Sequence, residues 1–264
     1  MLKTILALVP HPDDAEFYAG GTLAQMIAEG ATVHIVIATD GRCGSFRHDS
    51  DLLVFLRAEE TYRAAAVLGA QPPVLLGYPD MGLDRLPAGV LREKFIRAIR
   101  QIRPDIVFAE DPHAAFETHP DHRAVAWAAA EAISYARLPL VHPEHLAEGL
   151  LPHLVVEKYF YTDTPSHASK IVDITDTIGR KIAALNAHRS QVEFLVEGVL
   201  MECRLAGLDL VGIFGPAADD PAALLAWGVQ ATAAAIGQQA GVQYAEAFRY
   251  ERFGPLVEGM IKKE

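Results

Sequence analysis

Cysteine is nearly missing: Cys43 and Cys203 are the only two in 264 residues. They lie far apart, so the chain carries neither a disulfide framework nor a paired-thiol metal site. A reducing cytoplasm is the expected compartment. Positive charge is also scarce, with 23 Lys and Arg against 34 Asp and Glu and a formal net charge of -11. Nucleic acid and anionic membranes are held by clustered Lys and Arg, so neither is an expected partner. No apolar run nears the ~20 residues that cross a bilayer. The first residues hold one Lys and a short apolar run before His11, which is not a signal peptide. The glycines never fall into GxGxxG, so there is no dinucleotide fingerprint. Ser45 is not in a GxSxG elbow, and no base is spaced to activate Cys43. Internal repeats, low-complexity tracts and linkers are absent, so residues 1–264 are expected to form one domain.

Apolar residues make up 51% of the chain, enough for a sizeable core. Strands are predicted at 4–9, 33–38, 73–76 and 105–109, and helices at 16–29, 52–68 and 88–102. Gly30 and Gly69 stop the first two helices. Strand and helix alternating over short links predict an α/β fold: a Rossmann-like, mostly parallel sheet with helices on both faces. A long helix is predicted at 119–135, followed by an irregular excursion at 138–153. His142, His145 and His153 in that excursion are spaced like surface or packing histidines. The elaborated C-terminal part is predicted as strands at 154–161 and 170–174, helix over 175–191 continuing through 192–207, helix at 221–240 and strand at 242–249. In a sheet of this kind ligands sit beyond the carboxyl ends of the strands, at the switch point.

Two clusters fall on that edge. The first, Pro10-His11-Pro12-Asp13-Asp14-Ala15-Glu16, leaves the first strand. Adjacent carboxylates raise each other's pKa unless a cation sits among them, and a divalent metal accepts both imidazole and carboxylate. The second, Thr118-His119-Pro120-Asp121-His122, opens the long helix. Thr118 is the expected N-cap and Asp121 the back-bonding residue of a capping box. His119 and His122, three apart, share a face of the first turn. The helix dipole disfavours imidazolium there, and a metal ligand must be neutral. His11, Asp14 and His122 are the best three ligands, matching the catalytic zinc pattern of three protein ligands and an open water position. Iron or cobalt suits the same donors. Asp13 is then free to take a proton from water near neutral pH. His119 would face the developing oxyanion or the leaving group, with Asp121 orienting it. A glycosidase would need carboxyl groups about 5–10 Å apart across the bond, which neighbours such as Asp13 and Asp14 reach only under strain. A metal- or sugar-binding module without catalysis remains a third reading.

The segments PHPDDAEFYAGGTLA and ETHPDHRAVAWAA resemble the LmbE-like (PIG-L) deacetylases. The likeness extends to Thr39-Asp40-Gly41, Arg57-Ala58-Glu59-Glu60, Tyr78-Pro79-Asp80-Met81-Gly82-Leu83, 184–191 and 244–248. The resemblance implies a zinc enzyme that removes the acetyl group from N-acetylglucosamine-type sugars. It implies zinc on His11, Asp14 and His122, Asp13 as base, His119 as oxyanion stabiliser or acid, and Arg57 and Asp80 in contact with the sugar. Residues 111–113 and 134–145 look similar to the diacetylchitobiose deacetylase branch, whose members are oligomers, so a homo-oligomer is expected. Thiol-linked glucosaminyl compounds of the bacillithiol or mycothiol type are the competing substrates. Gly20 and Gly21 are read as permitting close backbone packing.

Overall fold

The first strand, β1 (Thr4–Val9), is apolar along its length, and Ile5 to Val9 are each at most 1% exposed. Such a run suits a strand covered on both faces. In the computed structural model, which describes residues 2–162 and 168–261, β1 is an interior strand, third in order, of a seven-stranded sheet. After it come α1 (Asp14–Ala28), β2 (Thr32–Thr39), α2 (Ser50–Leu68), β3 (Val74–Tyr78), a 3-10 turn at Leu83–Arg85, α3 (Val90–Ile102), β4 (Ile106–Glu110) and α4 (Pro120–Tyr135). The second half holds α5 (Glu144–Ala147), β5 (Glu157–Tyr161), β6 (Lys170–Asp173), α6 (Ile178–Ala187), α7 (Arg189–Leu205), α8 (Leu210–Phe214), α9 (Pro221–Ala240), β7 (Ala245–Glu251) and α10 (Pro255–Ile261).

The strand order is β3-β2-β1-β4-β5-β7-β6. The first five of these run parallel, while β7 is antiparallel to both β5 and β6. The mostly parallel Rossmann-like sheet expected from sequence is therefore present. Alternate residues of β1 feed two cores. Leu6 and Leu8 pack with Phe95 and Ile99 of α3 and Val125 and Ala129 of α4. Ile5, Ala7 and Val9 pack with Leu23 of α1, Leu68 of α2 and Ala184 of α6. A third core joins α6, α7 and α9. The connections reverse direction between β1 and β4, so the switch point lies where the two polar clusters leave the sheet.

Three local expectations change. The helix predicted through 175–191 breaks at His188, whose φ of -83° and ψ of 58° are not helical. The Glu60 carboxylate accepts from the Ser190 N–H at 2.9 Å and from its hydroxyl at 2.6 Å, capping a new helix from outside. A capping partner 130 residues away leaves no local signal. Next, α4 begins one residue late: its N-cap is His119 rather than Thr118, which puts Pro120 at the favoured first helical position. Lastly, the excursion at 138–153 contains the short α5 and is pinned from below. Arg100, 1% exposed, donates to the carbonyls of Ala136, Leu138, Val141 and His142. It also lies 3.2 Å from His145 Nδ1, and His145 is itself fully buried. Gly21 lets α1 meet the link between β6 and α6, since a Cβ there would come within 2.7 Å of Ile174. Among the described residues no helix is long and apolar enough to cross a membrane.

Candidate active site

The turn between β1 and α1 is set by its own side chains. Asp14 Oδ2 accepts from the His11 N–H at 2.8 Å. Asp13 is the N-cap of α1 with φ 115°, in the left-handed region that costs a non-glycine residue about 1–3 kcal/mol. Arg57 of α2 holds it there. This guanidinium is 3% exposed and donates to Asp13 Oδ1 at 3.0 Å, to the Gly41 carbonyl at 3.0 Å and to the Pro12 carbonyl. Gly41 has φ +65°, and a Cβ on it would stand 2.4 Å from Arg57 Nη1, so only glycine fits.

Across the switch point α4 delivers His122. Its Nε2 lies 3.2 Å from His11 Nδ1 and 3.9 Å from Asp14 Oδ2, and His11 Nδ1 lies 3.4 Å from Asp14 Oδ2. A tetrahedral zinc with bonds of about 2.0–2.1 Å sets its ligand atoms roughly 3.3–3.4 Å apart. The residues present therefore fit a metal by distance and by donor type. The far nitrogens fit too. His11 Nε2 lies 3.1 Å from Asp80 Oδ1 and 3.5 Å from Asp121 Oδ2. His122 Nδ1 lies 2.9 Å from Glu110 Oε2, off the line of a straight hydrogen bond, and 3.5 Å from Glu117 Oε2. Ligand imidazoles are commonly backed by carboxylates in this way, which fixes tautomer and ring direction.

The electrostatics favour a cation. Burial lowers the His122 pKa, but Asp14 and Glu110 outweigh it and push it up to about 9. Burial raises Glu110 to about 7 against the pull of His122. Burial also raises Asp13 to about 6, opposed by Arg57 and reinforced by Asp14. His119 moves the other way: burial, then His11 and His122, lower it. His119 Nδ1 accepts from the Asp121 N–H at 3.2 Å, so the ring proton sits on Nε2. His119 is also near enough to His11 and His122 to belong to a possible ligand group. With its Nδ1 committed to the Asp121 backbone amide, the ring presents Nε2–H as a donor.

All eight residues singled out in the sequence gather at this edge, but three differ in placement from what was expected. The Asp121 carboxylate does not orient His119; it accepts from the Met81 and Leu83 N–H groups at 2.6 and 2.9 Å, and the backbone amide of Asp121 fixes the ring. Arg57 is committed beneath the turn. Asp80 stands behind His11, its Oδ2 accepting from the Cys43 N–H at 3.1 Å. Glu110, 1% exposed, is a site residue that sequence reading passed over. Its one sequence signal is a carboxylate ending an otherwise apolar strand, Ile-Val-Phe-Ala-Glu. Glu117 carries no comparable mark.

A switch-point site of two imidazoles and a carboxylate, backed by acids, defines a class of metal-dependent hydrolase, and the chain belongs to the PIG-L family. Residues 6–133 match the family model described as GlcNAc-PI de-N-acetylase. The chain is 35% identical over 196 residues to the diacetylchitobiose deacetylase of Thermococcus kodakarensis, covering 72% of this chain and 70% of that one. The diacetylchitobiose deacetylase structure from Pyrococcus horikoshii, solved with its inhibitor MPG, superposes with a TM-score of 0.78 at 30% identity, covering 95% of this chain and 84% of that one. The conserved protein TT1542 from Thermus thermophilus gives a TM-score of 0.69 at 30% identity, with 94% of each chain covered.

Proposed function

We propose that this protein is a zinc-dependent N-deacetylase that hydrolyses the acetamide of an N-acetylglucosamine-type sugar. The observation that carries the reading is the triangle of His11 Nδ1, His122 Nε2 and Asp14 Oδ2, with sides of 3.2, 3.4 and 3.9 Å and Asp13 adjacent. A zinc ion held by His11, Asp14 and His122 would supply Lewis acidity and lower the pKa of water in the site towards ~7. Asp13 accepts the proton of the attacking water. Its Oδ1 is held by Arg57, which leaves Oδ2 for that proton. The His119 Nε2–H donates to the amide oxygen as negative charge builds there. The carbon–nitrogen bond breaks, Asp13 returns its proton to the amine, and acetate and a free amino sugar leave. Arg57 and Asp80, expected to touch the sugar, are better placed to position Asp13 and His11. Asp121 locks the 81–83 turn against the site.

Residues 1–264 are read as one domain because β7, from near the end of the chain, is hydrogen-bonded between β5 and β6. A cytoplasmic homo-oligomer acting on a small-molecule sugar completes the proposal, supported by two unpaired cysteines and by the likeness to the diacetylchitobiose branch. The test is acetate release from N-acetylglucosamine, its disaccharide and thiol-linked N-acetylglucosaminyl compounds, with and without chelator. Acetate that disappears with chelator and returns with zinc is expected. Zinc uptake without acetate from any of them would mean a binding module. A cleaved glycosidic bond would mean a glycosidase.

A further inference from the structure

Residues 184–191 stand out in the sequence, yet the chemistry above gives them no part. His188, in that segment, is 1% exposed, and neither of its ring nitrogens has a hydrogen-bond partner. Its salt-bridge partner is Glu16 of α1, 2% exposed, whose Oε2 lies 3.7 Å from His188 Nε2. A buried polar ring left without hydrogen bonds calls for a reason. Glu16 stands three residues after the general base Asp13.

Asp13-Asp14-Ala15-Glu16 has the spacing of a capping box. In such a box the N-cap side chain accepts from the N–H three residues on, and the Glu there reaches back to the N-cap N–H. Three other aspartates open helices in this chain, and each caps its own. Asp49, Asp209 and Asp220 accept from the N–H groups of Leu52, Gly212 and Ala222, each at 3.0 Å, and all three sit at negative φ. Of the four, Asp13 alone lies at φ 115° and makes no cap bond. The box is written in the sequence and left open in the fold. Both carboxylates are drawn elsewhere, Asp13 Oδ1 to Arg57 at 3.0 Å and Glu16 to His188.

One face of α2 sets both diversions. Arg57 reaches Asp13, and Glu60, three residues on, caps Ser190 and so fixes the helix break at His188. The backbone at the break is held on both sides. The His188 N–H donates to the Leu185 carbonyl at 3.0 Å, and the His188 carbonyl accepts from the Gln191 and Val192 N–H groups at 3.0 and 2.9 Å. Burial works against charge on this ring, but Glu16 and then Asp13 outweigh it and raise its pKa, which favours the imidazolium that Glu16 needs.

We propose that His188 is a positioning residue for the general base: by drawing the Glu16 carboxylate away from the Asp13 N–H, it keeps the capping box open and Asp13 at its left-handed φ, with Oδ2 uncommitted. The inference rests on Asp13 being the base of the deacetylase reading above. Without the imidazole, Glu16 swings back to the Asp13 N–H. Asp13 then relaxes to negative φ, and its carboxylate turns onto the Glu16 N–H and away from the attacking water.

The test is a double-variant cycle on the zinc-loaded full chain. His188→Leu leaves Glu16 in place with nothing to hold it. The kcat for acetate release should fall about 10²-fold, the cost of a catalytic group displaced by about 1 Å, with KM and zinc content kept. Adding Glu16→Ala removes the group that closes the box, so the double variant should regain most of that loss. A pair that served stability alone would give no recovery. Hydrogen exchange at the Asp13 and Glu16 amides reads the box without turnover: both should slow in His188→Leu and return to the natural rate in the double variant. If His188→Leu does not fold, His188→Asn, polar and too short to reach Glu16, replaces it in every comparison. A double variant no faster than the His188 variant overturns the inference. So does a loss carried by KM or by zinc, and so does amide exchange that the His188 variant leaves unchanged. The expected exchange pattern with no acetate from the natural chain would refute the deacetylase reading alone. Acetate release without recovery in the double variant would refute this inference alone.

Discussion

Replacing Arg57 by Met separates a residue that positions the turn from one that touches the sugar. The guanidinium is 3% exposed and serves three acceptors: Asp13 Oδ1, the Pro12 carbonyl and the Gly41 carbonyl. Met fills much of the same space and bonds none of them. Removing one partner of a buried ion pair costs about 3–5 kcal/mol, because the other charge stays buried and unpaired. For a chain of about this size each kcal/mol moves Tm by about 2–4 °C, so a fall of roughly 6–20 °C is expected by calorimetry. Asp13 also loses what holds its left-handed backbone in place. Catalysis should therefore suffer in kcat more than in KM, and zinc affinity should weaken as His11 and Asp14 loosen. Lys at this position restores charge but not the fork that reaches three acceptors, so it rescues only part of the stability. Gly41→Ala pushes on the same guanidinium from its other side and should reproduce the pattern. A variant with unchanged Tm and kcat but raised KM would refute this reasoning and return Arg57 to direct sugar contact.

Further outcomes follow from other parts of the molecule. Asp13→Asn should retain stoichiometric zinc by metal analysis yet lose about 10²–10⁴ in kcat/KM, the usual contribution of a general base. His11→Ala should lose both zinc and turnover; an active Asp13→Asn enzyme would exclude the mechanism. Arg100→Met leaves the carbonyls of Ala136, Leu138, Val141 and His142 without their donor, and the buried one at Ala136 alone costs about 1–3 kcal/mol, so denaturant unfolding should shift by at least that much. Burial raises the Glu93 pKa, but hydrogen bonds from Arg97, His145 and Lys94 outweigh it and bring it to about 2. A depressed carboxylate adds stability above its unfolded value near 4.5 and loses it as pH falls from there towards 2. Acid unfolding of Glu93→Gln should therefore be flatter in that window than that of the natural chain.

How much was legible in the sequence depended on how local the physics is. Ile5 to Val9 had to be a doubly covered strand, because a continuous apolar run leaves no face for water. His11 and Asp14 had to share a tight turn, and His119 and His122 had to share the first turn of a helix, by spacing alone. These features are matters of period, propensity and charge, and one strand of text carries them.

Only the tertiary structure decided which groups face one another. It set β4 beside β1, bringing His122 within 3.2 Å of His11. It placed Glu110 behind His122, buried Arg57 under Asp13, turned Asp121 towards the 81–83 backbone, and broke a helix at His188 so that Glu60 could cap its continuation. Each of these is an encounter between segments tens of residues apart, chosen because burying a polar group requires a partner wherever the fold can supply one. The sequence names the groups that need partners, and the packing of the whole chain determines which ones they get.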